Sequence, residues 1–226
     1  MAPLIVHADR DRLAAGLAAL VAEDLRAALR AKGRASFAAP GGTTPAAFLS
    51  ALAAAPLDWA RVSVLPGDER WTPPEDERSN EAMIRRAMAA ATGARFEPFW
   101  RAGETPESAA PLLSAAIAPA LPLDVAVIGM GADMHCASLF PGAANLSAAL
   151  APDAPPVAAI TAPGAVEPRV TLTLPALAGA GRLYLLIAGA DKRAALRTAL
   201  GERDATVAPV GAVLGAARAA EVHWAP

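Results

Sequence analysis

Apolar and polar positions along this chain follow two alternating periods. Over residues 9–31, Leu13, Leu17, Leu20, Val21, Leu25 and Leu29 recur at helical spacing with Asp and Arg between them, which predicts an amphipathic helix. Residues 35–39 form a short apolar run closed by Pro40-Gly41-Gly42. The pattern returns to helix at Thr44-Pro45 and holds to about residue 54, with Thr44 the expected N-cap and Pro45 the first helical residue. Further runs predict strands over 61–65, 96–100, 124–128, 157–161, 183–187 and 221–224, and helices over 80–91, 106–118 and 191–200. Buried apolar strands that alternate with helices imply an α/β chain with a mostly parallel sheet covered on both faces. No internal repeat or long linker interrupts the order, and the proline-rich residues 152–163 read as a surface connection, so residues 1–226 are expected to form one domain.

Composition narrows the function classes. Hydrophobic residues make up 54% and charged residues 19%, the balance of a globular protein. The formal net charge of −2 lacks the basic excess of a nucleic-acid surface, so no nucleic-acid partner is expected. Cys136 is the only cysteine, which excludes an internal disulfide and suits a reducing compartment. The opening MAPLIVHADRDR acquires charge too early for a secretory signal. The most apolar stretch, residues 109–131, is broken by Pro111, Pro119, Pro122 and Asp124, so no membrane span is expected either. A soluble cytoplasmic protein, with no membrane partner, is the resulting expectation. Alanine and arginine are heavily used and lysine occurs only at Lys32 and Lys192; the bias itself carries no functional information.

Three stretches fall at carboxyl ends of predicted strands, where ligands bind in open α/β sheets. In Pro40-Gly41-Gly42-Thr43-Thr44-Pro45, glycines let the backbone approach a ligand and a helix start offers amides to an anion, although an ordinary strand-to-helix turn reads the same way. It is not a Walker A loop, because no Gly-Lys-Ser/Thr follows. Asp68-Glu69-Arg70 reads either as a solvated loop or as a cleft-facing group in which Arg70 forks onto phosphate or carboxylate. Ser79-Asn80 reads as a helix cap.

The third stretch is Gly129-Met130-Gly131-Ala132-Asp133-Met134-His135. Asp133 either caps a helix or holds a proton-transferring His135 in place. His7 and His223 lie in strand-like surroundings near the termini and read as structural. With no further histidine nearby, Asp133 and His135 do not suggest a zinc set, and no metal is expected. Cys136 has no evident base and reads as a small packed residue. Arg169 opens Arg-Val-Thr-Leu-Thr, and Lys192 sits in the first turn of a helix, where its charge opposes the dipole; both suit an anionic ligand.

In order and spacing, Gly41-Gly42-Thr43-Thr44-Pro45, Asp68-Glu69-Arg70, Ser79-Asn80, Gly129-Met130-Gly131-Ala132-Asp133-x-His135-x-Ala137-Ser138-Leu139-Phe140-Pro141 and Arg169-Val-Thr-Leu-Thr resemble the 6-phosphogluconolactonase family over nearly the whole chain. The glycine turn is shared with the related glucosamine-6-phosphate deaminases. Those enzymes continue differently after the histidine, whereas Ala137 to Pro141 follow the lactonase pattern. Met134 and Cys136 depart from the family, which most often has glycine and threonine there.

The resemblance implies a Rossmann-like three-layer α/β/α sandwich that hydrolyses 6-phospho-D-glucono-1,5-lactone in the oxidative pentose phosphate pathway, as a monomer and without a cofactor. His135 and Asp133 would be catalytic, and Gly41, Gly42, Thr43, Asp68, Arg70, Gly131, Arg169 and Lys192 would bind substrate. A sugar-phosphate isomerase or deaminase, and a non-catalytic sugar-phosphate sensor, are the alternatives. At Met134 the expectation is a first helical residue with negative φ behind an Asp133 N-cap, its side chain leaning over the cleft wall.

Overall fold

The computed structural model describes residues 2–42 and 44–226. In chain order the elements are β1 (Leu4–Val6), α1 (Arg10–Lys32), β2 (Ala35–Ala39), α2 (Ala46–Ala53), β3 (Val62–Pro66), β4 (Asp68–Arg70), α3 (Asn80–Ala87), β5 (Arg95–Phe96), α4 (Pro106–Ile117), β6 (Val125–Ile128), α5 (Leu146–Ala149), β7 (Val157–Ile160), β8 (Arg169–Leu172), α6 (Leu174–Ala178), β9 (Arg182–Ala188), α7 (Ala190–Gly201), α8 (Pro209–Ala216) and β10 (Ala220–Ala225).

The long first helix shows how sequence sets these boundaries. Asp9 has extended backbone angles and accepts the Arg12 N–H at 2.7 Å, while Gly33 ends the helix in the left-handed region and returns its N–H to Leu29. Leu13, Leu17, Val21 and Leu25 are buried, joined on the same face by Ala14, Ala18, Ala22 and Ala28. Leu20, counted above with the apolar stripe, lies just off that face and is 43% exposed. The alanines fill the width that the larger side chains alone suggest.

Seven strands form a fully parallel sheet in the order β1-β10-β9-β6-β2-β3-β5. Its strands are apolar on both sides, as a doubly covered parallel sheet requires. Phe37, Val62, Val64, Val125, Val127 and Leu186 pack with α1, α2 and α3. Ala38, Leu65, Ala126, Ile128, Leu183, Leu185 and Ile187 pack with α4, α6, α7 and α8 on the other side. The α/β sandwich expected from the alternating pattern is therefore present. From β2 the chain moves outward to β3 and β5, then returns to place β6 on the other side of β2 and moves outward again through β9 and β10. The reversal leaves a crevice beyond the carboxyl ends of β2 and β6, the place where such sheets bind ligands.

The charged triplet is not a solvated loop. Asp68–Arg70 is β4, paired antiparallel with β8, which pairs in turn with β7 in a small second sheet. Gly67 joins the two sheets: its N–H donates to Ala39 and its carbonyl accepts from Leu172, each at 2.9 Å. Residues 152–163 carry β7 as well as the expected connection. The strand expected over 96–100 stops at Phe96; Pro98 has no N–H to continue a ladder. The helix expected to reach residue 91 ends at Ala87, with Met88 outside helical angles. Thr44 does not cap α2, whose N-cap is Pro45. No helix among the described residues is long and apolar enough to cross a membrane.

Candidate active site

The crevice is a cleft of about 260 Å³. Gly41 and Gly42 enter it from the end of β2, Asp68 and Arg70 from β4, Gly131 and His135 from the loop after β6, Arg169 from β8 and Lys192 from the first turn of α7. Eight of the ten site residues expected from the sequence thus meet around one space. Of the other two, Asp133 stands behind His135, and Thr43 lies outside the described residues.

His135 and Asp133 form a close pair, with Nδ1 and Oδ1 2.5 Å apart. That contact occupies Nδ1 and leaves Nε2 for a ligand. Burial pushes the Asp133 carboxyl up, but the hydrogen bond and charge of His135 outweigh it and hold the carboxyl below its usual range. The imidazole also lies against the Phe140 ring, with centroids 4.2 Å apart, and Phe140 carries the Arg169 guanidinium on its ring at 5.4 Å.

The loop that presents this pair closes on itself. Gly131 donates its N–H to the His135 carbonyl at 2.9 Å, and Met134 donates to the Gly131 carbonyl at 3.1 Å. A Cβ at Gly131 would overlap Asp133 Oδ1 and the His135 ring. Glycine is present because the dyad folds back over it.

The same closure overturns the helical reading of Met134. Its φ is +68°, in the left-handed region, and no helix starts at Asp133. The Asp133 carboxylate is drawn to the imidazole, and the chain must reverse within residues 131–135 to make that contact. A left-handed non-glycine residue costs about 1–2 kcal/mol. The thioether packs at the edge of the core and does not line the cleft. Met134→Gly should relieve the backbone cost, against about 0.5–1 kcal/mol of added chain entropy and the lost packing. Its melting temperature is expected to equal or exceed the parent's. A clear drop in a thermal melt would show that side-chain packing dominates at this position.

A polar wall of the cleft is built from buried and half-buried groups. Asp68 accepts the Ser138 hydroxyl at 2.5 Å and the Asn80 Nδ2 at 3.3 Å, while Arg169 Nη1 stands 4.0 Å from it. Arg70 donates to the Arg78 carbonyl at 2.7 Å. Arg70 and Arg169 each keep a buried Nε–H without an acceptor among the described residues, donors that ligand oxygens could meet. Burial lowers the pKa of Arg169, and Asp68 works against that shift. Three cations therefore face one carboxylate in a cleft of a slightly acidic protein, an arrangement suited to an anion. Among the described residues, no cluster of three His, Cys, Asp or Glu side chains could hold a metal ion. Cys136 is fully buried, and burial pushes its thiol well up, which fits a packed residue and not a nucleophile.

Asn80, Ser138 and Phe140 were missing from the sequence-derived site. Ser79 does cap α3, accepting from Ala82, and that sufficient local explanation concealed the different work of its neighbour Asn80. Ser138 and Phe140 lie inside the histidine motif, but their partners Asp68 and Arg169 are distant in sequence.

Residues 8–224 match the sequence profile of a family described as glucosamine-6-phosphate isomerases/6-phosphogluconolactonase. A 6-phosphogluconolactonase of Rhizobium meliloti is 43% identical over 219 residues, covering 95% of this chain and 94% of the relative. One from Pseudomonas aeruginosa is 40% identical over 218 residues, covering 94% and 90%. The crystal structure of a 6-phosphogluconolactonase from Shewanella baltica superposes with a TM-score of 0.96 at 30% identity, covering 100% of this chain and 98% of that one. The chain belongs to the glucosamine-6-phosphate isomerase/6-phosphogluconolactonase family.

Proposed function

We propose that this protein hydrolyses 6-phospho-D-glucono-1,5-lactone to 6-phosphogluconate, the lactone-opening step of the oxidative pentose phosphate pathway. The observation that carries the mechanism is the 2.5 Å Asp133–His135 pair at the edge of a cationic cleft. His135 Nε2 takes a proton from water, and the resulting hydroxide adds to the lactone carbonyl carbon. The tetrahedral intermediate collapses with cleavage of the carbonyl carbon–ring oxygen bond, and the imidazolium returns its proton to the departing oxygen. Asp133 fixes the tautomer and stabilises the transient positive charge, as a carboxylate does in other histidine-based sites. An activated ester needs no covalent intermediate for this step. The Gly41-Gly42 turn, Arg70, Arg169 and Lys192 hold the anionic substrate and thereby orient the ring for attack. Action as a monomer in the cytoplasm is part of the same reading.

The test is formation of 6-phosphogluconate from freshly generated lactone, measured against spontaneous opening. Acceleration over the spontaneous rate is expected; none would end the proposal. Release of ammonia from glucosamine 6-phosphate would instead identify the deaminase chemistry.

Lys192 offers the cleaner probe of the phosphate handle. Arg169 also approaches Asp68 and supports Phe140 beside His135, so its removal should slow any lactone. Lys192 enters the cleft from α7, away from those contacts. Lys192→Ala is expected to lower kcat/KM for the phosphorylated lactone about tenfold or more, the weight of one charge-assisted contact, and to spare unphosphorylated gluconolactone. Equal losses on both substrates would show that Lys192 does not read phosphate.

A further inference from the structure

Glu69 is completely buried, yet it does not line the cleft. Its carboxylate accepts four hydrogen bonds: from the backbone N–H groups of Arg70 (2.8 Å), Asn80 (2.7 Å) and Glu81 (2.7 Å), and from the Ser79 hydroxyl (3.1 Å). Burial pushes its pKa up to about 7, against the donors, which favour the charged form. An enclosed carboxylate is a costly way to cap a helix whose Ser79 already supplies an ordinary cap to Ala82.

What the arrangement achieves lies one residue further on. Pinned through its own N–H, Asn80 turns its side chain into the cleft and donates Nδ2 to the Asp68 carbonyl at 2.8 Å and carboxylate at 3.3 Å. On its other side it packs so closely on Gly41 that a Cβ there would overlap the amide. Asn80 thus sets the spacing between the Gly41-Gly42 turn and Asp68, two walls that grip the ligand from different strands.

We infer that Glu69 is a positioning residue that acts through the start of α3 and Asn80 to hold Asp68 and the glycine turn in binding register. It governs ligand binding and not proton transfer, because its own hydrogen bonds run to Arg70, Ser79, Asn80 and Glu81 and none runs to Asp133 or His135. The inference rests on the lactonase reading of that cleft.

Glu69→Gln in the full chain tests it. The amide keeps the shape but turns an NH2 group toward two of the four donors. With the phosphorylated lactone, KM is expected to rise about tenfold while kcat stays within roughly threefold of the parent. A role confined to stability would do the reverse, reducing the folded fraction and so the apparent kcat at an unchanged KM. An unchanged KM therefore overturns the inference and leaves the lactonase reading standing. If the glutamine variant does not fold, Ser79→Ala, which removes one donor to the carboxylate, takes its place; a raised KM supports the role and an unchanged one overturns it. If the parent itself does not accelerate lactone opening, the proposed function fails first, and calorimetric titration with 6-phosphogluconate becomes the readout. Weaker binding to the variant then supports the positioning role, and equal binding, or none to either protein, overturns it.

Discussion

His135→Ala is expected to lower kcat by about 10²–10⁴-fold, the usual weight of general acid–base catalysis, with the fold retained. Among the described residues of the cleft, the imidazole alone has a free nitrogen backed by a carboxylate at 2.5 Å, and its side chain is 27% exposed, so the core does not depend on it. Phe140 lies against the ring and, backed by Arg169, will close partly on the space it leaves. KM should accordingly move less than kcat. Steady-state kinetics on the purified variant, together with a thermal melt to confirm folding, provide the measurement. Turnover near that of the parent would eliminate His135 as the base.

The second large effect is expected from a residue with no functional group. Gly131→Ala would place a methyl where Asp133 Oδ1 and the His135 ring now lie. Both obstructing groups are side-chain atoms, one of them the mobile end of an aspartate, so the backbone can survive while the pair is pushed apart. A displacement of about 1 Å in a catalytic group can cost roughly 10²-fold, and a loss of about that size in kcat is expected with little change in melting temperature. If Gly131→Ala unfolds the protein, the residue serves the fold; if activity persists, the 2.5 Å contact is not needed for turnover.

The comparison with His135 also shows what could be read from sequence. The long helices and the buried strands of the main sheet announce themselves through unbroken apolar periodicity. β4 and β8 do not, because their buried members include Asp68, Glu69 and Thr171, polar residues that belong inside only once distant partners meet them. Glu69 finds three of its four donors ten to twelve residues ahead, and Asp68 finds Ser138 seventy residues away. No local pattern carries that information. The site was more legible than its supports, since the glycines, the acid–histidine pair and the cations are chemical types whose presence at strand ends needs explanation. Met134 was misread because an acid after a glycine turn commonly caps a helix; of the two readings open for Asp133, the closed geometry selects the one in which it engages His135.

That closure has a consequence for how the protein can change. The pair proposed to move the proton lies within one short loop, held by hydrogen bonds between Gly131, Met134 and His135 and tied to α8 where Val210 donates its N–H to the Met134 carbonyl at 3.2 Å. The groups proposed to grip the ligand are dispersed over β4, β8, α7 and the turn after β2. On the proposed reading the chemistry is concentrated in one short segment, while each gripping residue can be exchanged singly. A new lactone could be accepted by altering one gripping position without rebuilding the chemistry, and a new chemistry could arise by replacing the loop while the anion grip persists.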